Sequence, residues 1–207
     1  MTPRRLTVAT TVAAVILNAG LYALAAKGQA SADAFWLVDR STGEVTLLLL
    51  SLAVVLGIVR AAVPALNPRL FADLHVNVAL VTIAFGGTHI VSTILGEHPG
   101  LGPVDALVPF VAAYRGTWVG LGVISGYLYL AVTLTSWPLR RLPRRGWLWL
   151  HSSIYVAWAF ALVHALGAGS DATSPMYVLL DVLAGGAVIG ALVTIGWRRR
   201  SDAPPPL

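Results

Sequence analysis

There is no cysteine among the 207 residues. That excludes disulfides, thiolate nucleophiles, cysteine-held iron–sulfur clusters and covalent c-type haem attachment. Charge is almost as scarce, at 11% of the chain against 57% apolar residues, whereas a soluble domain carries about 25% charged residues. So few polar groups cannot cover a water-facing surface, so most of the outside must face lipid. A glycine-rich nucleotide loop is also missing, as is any polar segment long enough to hold one. A net charge of +5 is compatible with nucleic-acid binding, but the placement of the basic residues gives a better account.

Six apolar runs are present, at 6–26, 45–63, 71–95, 118–137, 147–166 and 176–197. Each is close to the roughly 20 residues that carry a helix across about 30 Å of hydrocarbon. Asn67-Pro68 and Ser174-Pro175 read as helix starts, a polar cap followed by proline in the first turn. Pro138 and Pro143 close the fourth run, and Trp118, Trp137, Trp147, Trp149 and Trp197 stand at run ends, where an aromatic belt is expected. The predicted fold is an all-α membrane protein, a six-transmembrane-helix bundle.

Eleven of the 14 basic residues fall on one side of this arrangement: Arg4, Arg5, Arg60, Arg69, Arg140, Arg141, Arg144, Arg145, Arg198, Arg199 and Arg200. Lys27, Arg40 and Arg115 are on the other. Positive charge marks the cytoplasmic side, so both termini are predicted to be cytoplasmic and the lipid bilayer, not nucleic acid, is the partner. Arg4 and Arg5 ahead of the first run also suit a secretory signal; retention as a helix is the expectation.

Four of the five histidines lie within two runs, His75 and His89 in the third, His151 and His164 in the fifth. Ionisable groups at membrane depth are costly and point to function. Their separations of 14 and 13 residues each span roughly 20 Å of helix. Both runs travel from the cytoplasmic side outward, so His75 and His151 share the inner level and His89 and His164 the outer. Neutral imidazole is a good axial ligand for haem iron, and two facing imidazoles would sandwich one haem. Two such pairs would stack two haems across the bilayer. With both axial positions filled by protein, one-electron transfer is the expected chemistry. Packing histidines and a proton relay are the alternatives; a relay usually recruits nearby carboxylates, and the clear intramembrane acid is Asp181. A straight helix returns after 14 residues to within roughly 40° of the same face, but 13 residues leave roughly 140°. The fifth span must therefore tilt, bend or present its ligands from different sides. His98, in Glu97-His98-Pro99-Gly100, is read as a turn residue, with replacement of His164 as the alternative role.

Gly86, Gly87, Gly120, Gly122 and Gly126 would let a flat macrocycle or a second backbone approach closely; ordinary small-residue helix packing is the competing reading. Haem propionates need cations, which Arg69 inside and Arg115 outside would supply. The apolar stretch 103–113 reads as an interfacial helix over the outer site.

With Leu74-His75-Val76-Asn77, Thr88-His89, the stretch from Tyr114 to Gly122, and Trp149-Leu150-His151-Ser152-Ser153-Ile154-Tyr155 through Val163-His164, the chain resembles the ferric reductase-like transmembrane domain family. NADPH oxidases, ferric reductases and a bacterial methionine sulfoxide reductase haem subunit share this membrane core. The resemblance covers roughly 41–197, framed by an N-terminal helix and first outer loop (1–40) and a cytoplasmic tail (198–207). It implies two non-covalent b-type haems and transmembrane electron transfer. The flavin and nicotinamide domains of the oxidases are not expected here, and Asn67-Pro68-Arg69-Leu70 lacks the basic Leu-Gly lead-in associated with the methionine sulfoxide subtype.

The expectation is a haem subunit of an oxidoreductase in the plasma (inner) membrane. Hydride chemistry needs a flavin or nicotinamide, so FMN or FAD would enter only through a partner protein. A cytoplasmic flavin reductase or membrane quinol would donate electrons to an unidentified extracytoplasmic acceptor. The alternative is a non-redox small membrane transporter or assembly protein with packing or proton-relay histidines.

Overall fold

In the computed structural model the described residues are 9, 12–13, 16–17, 19–20, 23–24, 27, 32–63, 67–96, 100–136, 142–169 and 172–201. From residue 32 onward they form seven helices: α1 (Ala32–Ala62), α2 (Pro68–Leu95), α3 (Pro103–Leu107), α4 (Gly116–Ser136), α5 (Arg144–Ser152), α6 (Ile154–Ala168) and α7 (Pro175–Ser201). No strand occurs among the described residues. Five stretches are long and apolar enough to cross a membrane: Ala34–Ala62, Pro68–Leu95, Gly116–Ser136, Arg144–Ala168 and Pro175–Arg198. Most of the expected first span lies outside the described residues; those described between 9 and 24 are helical. His98, Trp137, Arg140 and Arg141 also lie outside them.

α1 differs most from the sequence expectation. It begins at Ala32, 13 residues before the expected 45, and runs through Asp39, Arg40 and Glu44. Those charges break the apolar run but not the helix, and two of them, Asp39 and Arg40, have partners on other helices. The Asp39 carboxylate meets His89 Nδ1 at 2.9 Å, and the Arg40 guanidinium lies 4.7 Å from the centre of the Tyr177 ring, a favourable cation–π distance.

The start of α2 follows its sequence signal. Asn67 Oδ1 accepts from the backbone N–H of Arg69 at 3.1 Å and of Leu70 at 3.2 Å, with Pro68 in the first turn. These bonds satisfy donors that a helix N-terminus leaves open. The expected interfacial helix over 103–113 is shorter than predicted: α3 ends at Leu107, and Val108 is extended at φ −107°, ψ 120°. Pro109 is the cause, since proline disfavours helical geometry in the residue before it. The chain then turns through positive φ at Phe110 (67°) and Arg115 (44°).

α1 is the central post, packed against α2, α6 and α7, while α4 packs against α6. Leu50, Val54 and Ile58 recur at helical spacing on α1 and join Trp158 of α6 and Val188 of α7 in the core. Polar ties fix the register of these contacts. Trp158 Nε1 donates to Ser51 Oγ at 2.9 Å, and Ser125 Oγ donates to the Ala157 carbonyl at 2.7 Å. Leu179, Val182, Leu183, Ile189 and Val193 form an exposed face of α7, which suits a lipid boundary. Trp149 and Trp197 are exposed near helix ends.

Candidate haem-binding centres

The four intraspan histidines meet in two pairs. His75 of α2 faces His151 of α5 with ring centres 6.1 Å apart and planes at 63°. At the opposite end of α2, His89 faces His164 of α6, again at 6.1 Å, with planes at 72°. An imidazole nitrogen binds a transition metal at about 2.0 Å and the ring centre lies about 1.1 Å behind it, so two imidazoles opposed on one metal have centres about 6.2 Å apart. Both pairs match that separation. Stacked rings would be nearly parallel, whereas axial ligands may take any torsion about the metal–nitrogen axis.

Each Nδ1 is already engaged. His75 Nδ1 lies 2.8 Å from the Ala53 carbonyl, His89 Nδ1 3.0 Å from the Asp39 carbonyl and His164 Nδ1 2.9 Å from the Trp118 carbonyl. His151 Nδ1 is 3.3 Å from Ser136 Oγ. A carbonyl can only accept, so the first three rings carry their proton on Nδ1 and leave Nε2 as the available ligand nitrogen. Such a partner on the far nitrogen also fixes ring orientation at a metal site.

The three carbonyl acceptors share a local design that sequence reading missed. Asp39 is followed four residues on by Gly43, Ala53 by Gly57 and Trp118 by Gly122. A helical carbonyl at i points toward residue i+4, whose side chain overhangs it. Glycine leaves the second lone pair of that oxygen open to an incoming imidazole. The close approach is real: a Cβ on Gly43 would lie 3.0 Å from His89 Nδ1, on Gly57 3.2 Å from His75 Cε1, and on Gly122 2.6 Å from His164 Nδ1. One signal was legible. Gly43 and Gly57 are 14 residues apart, as are His75 and His89. At the fourth position a side chain takes the acceptor's place, since Ser136 stands 14 residues after Gly122. Its Oγ also receives Trp147 Nε1 at 3.2 Å, and the Trp147 ring stacks on His151 at 4.6 Å.

The 13-residue spacing coincides with a break in the helix. The span Arg144–Ala168 is interrupted at Ser153, between α5 and α6. There the Ser153 N–H reaches back three residues to the Leu150 carbonyl at 3.1 Å, and its hydroxyl donates to the same oxygen at 2.6 Å. A three-residue turn advances about 120° per residue instead of about 100°, so His151 and His164 need not obey straight-helix geometry.

α2 has no packing against α4, α5 or α6 comparable to its contact with α1 among the described residues. The histidine tips approach across this space, and Tyr129 of α4 crosses it between them, its hydroxyl donating to the Ala79 carbonyl at 2.5 Å. A macrocycle supplies four ligands of its own, so two protein nitrogens suffice. Among the described residues no group of three or more His, Cys, Asp or Glu could hold a bare metal ion. Paired donors at metal-spanning distance, oriented rings and glycine clearance fit haem.

The other sequence candidates are more dispersed. Gly122 backs His164, but Gly120 receives the Phe110 ring, Gly86 meets Thr46, and Gly87 and Gly126 have nothing within 4 Å of a built Cβ. Arg115 Nη1 donates to the carbonyls of Gly167 at 2.6 Å and Gly169 at 2.7 Å, closing the end of α6. Arg69 is exposed in the first turn of α2. Arg40, counted in the sequence only as an outer charge, approaches Gly169 and so converges with Arg115 near the His89–His164 end.

No protein-family model matches the chain, and no solved structure does. Among curated proteins it is similar to the protein-methionine-sulfoxide reductase haem-binding subunit MsrQ of Ralstonia nicotianae, with 28% identity over 144 residues. The match covers 70% of this chain and 64% of that relative's length. This similarity reaches the subtype whose lead-in is missing at Asn67–Leu70, so that short stretch is a poor discriminator. The chain thus has a curated homologue in a haem-binding subunit, consistent with the ferric reductase-like family that its histidine pattern resembles.

Proposed function

We propose that the protein is a six-helix, bis-haem b membrane cytochrome of the plasma (inner) membrane, with both termini cytoplasmic. It passes electrons from a cytoplasmic flavoprotein or membrane quinol to an extracytoplasmic acceptor. One observation carries the reading: two imidazole pairs, each 6.1 Å between ring centres, with every Nδ1 bonded elsewhere. The similarity to a haem-binding subunit supports the same chemistry.

Bound haem would supply reversible one-electron chemistry. His75 and His151 would hold the inner group, and His89 and His164 the outer. With two imidazoles committed to each group, the centres would be suited to electron transfer rather than to oxygen binding. The Nδ1 bonds hold the rings in place, which limits rearrangement on electron transfer. Arg69 is proposed to face the inner propionates, and Arg115, helped by Arg40, the outer ones. FMN or FAD would be involved only through a partner protein, since hydride acceptance needs a flavin or nicotinamide. The basic segment 140–145 would dock an acidic donor.

The test is an absorption spectrum of purified protein, oxidised and dithionite-reduced, with haem stoichiometry. Two haems per chain with a low-spin b-type spectrum, extractable by acid–acetone, are expected. Protein without haem, from cells amply supplied with it, overturns the proposal.

A further inference from the structure

The two centres are not equivalent. At the inner centre His75 Nδ1 meets only the neutral Ala53 carbonyl. At the outer centre His89 Nδ1 is shared between the Asp39 carbonyl at 3.0 Å and the Asp39 carboxylate oxygen Oδ1 at 2.9 Å. The same Oδ1 accepts the Thr93 hydroxyl, which also lies 2.8 Å from the His89 carbonyl. Asp39 sits on α1, and His89 and Thr93 one turn apart on α2, so the α1–α2 contact builds a carboxylate–imidazole pair behind one ligand only.

We propose that Asp39 is a positioning residue that tunes the outer haem, its carboxylate drawing on the His89 Nδ1–H so that the outer group holds its electron less tightly than a carbonyl partner alone would allow. The inference rests on the haem reading above. A carboxylate acceptor makes the imidazole a stronger donor to the metal, and its negative charge acts in the same direction. Both stabilise the ferric form relative to the ferrous. Thr93 opposes this, because its hydroxyl competes for the lone pairs of the same oxygen.

The geometry allows tuning to be separated from structure. The residue 39 backbone carbonyl still orients His89 when the side chain is changed, so Asp39→Asn should retain the outer haem. Redox titration followed optically should then show the outer component easier to reduce by at least about tenfold in its ferrous-to-ferric ratio at a fixed potential, about 59 mV for a one-electron couple. The inner component should stay where it was. Thr93→Val should move the outer component the opposite way. Components are assigned beforehand by their loss in His89→Ala and His75→Ala, and low-spin EPR of the ferric protein should change only in the outer signal. Unshifted potentials in Asp39→Asn with both haems retained overturn the inference and leave the haem reading intact. Should Asp39→Asn lose its outer haem, Thr93→Val decides alone, and an unshifted or raised potential there overturns the inference. Absence of haem from the unaltered protein would instead sink the underlying reading.

Discussion

Replacing Gly122 with alanine would place a methyl group 2.6 Å from His164 Nδ1, 2.8 Å from Cε1 and 2.9 Å from Cγ. Ordinary contact begins near 3.4 Å, so the imidazole must withdraw by about 0.8 Å or tilt. Either movement breaks the 2.9 Å bond to the Trp118 carbonyl. A donor left unpaired in an apolar setting costs about 1–3 kcal/mol, and overpacking costs about 1–3 kcal/mol more. Together these weaken outer haem binding by on the order of 3 kcal/mol, or about a hundredfold in affinity. The inner pair, at the other end of α4, should be untouched. Gly126→Ala, one turn further along the same helix with nothing within 4 Å, supplies the control, and better helix propensity there should leave the fold as stable or more so. Gly57→Ala falls between them, since its Cβ would sit 3.2 Å from His75 Cε1 and a shift of about 0.2 Å relieves it. The assay is haem stoichiometry by pyridine haemochrome, with redox titration to show which component is lost. Gly122→Ala protein that keeps both haems with unshifted spectra would refute the argument that glycine clearance admits the imidazole.

His75→Ala and His151→Ala should each abolish one spectral component, and His89→Ala and His164→Ala the other; loss of the same component from His75 and His89 variants would break the pairing. Ser51→Ala removes the acceptor of the buried Trp158 indole, which should cost about 1–3 kcal/mol, read as a lower Tm in detergent with unchanged haem spectra. NADH or NADPH alone should not reduce the protein, whereas an added cytoplasmic flavin reductase should. Neutralising Arg140, Arg141, Arg144 and Arg145 should slow that reduction and flatten its salt dependence without changing haem content.

The N-terminal end of α1 illustrates where sequence reading fails in a membrane protein. Asp39, Arg40 and Glu44 interrupt the apolar run, so a hydropathy argument starts the helix after them. For Asp39 and Arg40 the cost in an apolar setting is offset by partners on α2 and α7, far away in sequence: His89 is 50 residues from Asp39, and Tyr177 is further still from Arg40. The same long-range contacts make Asp39 and Arg40 candidates of the site, a role that no local pattern around them announces. α3 is the opposite case. Its truncation at Leu107 follows from Pro109, a local cause that the sequence already contained.

Apolar run lengths and a constant helical rise determined much of this protein from sequence. Axial position is a local quantity, about 1.5 Å per residue, so His75 could be matched with His151 and His89 with His164 before any packing was known. The absence of cysteine likewise confined cofactor binding to imidazole, carboxylate, methionine and backbone groups. Tertiary structure alone decided the azimuths. Which acceptor each Nδ1 meets, which glycine clears the way and how Ser153 turns the chain depend on how neighbouring helices are rotated and inclined. Those rotations are set by side-chain packing summed over whole interfaces, such as Leu50, Val54 and Ile58 against Trp158 and Val188. No short window of sequence contains that sum.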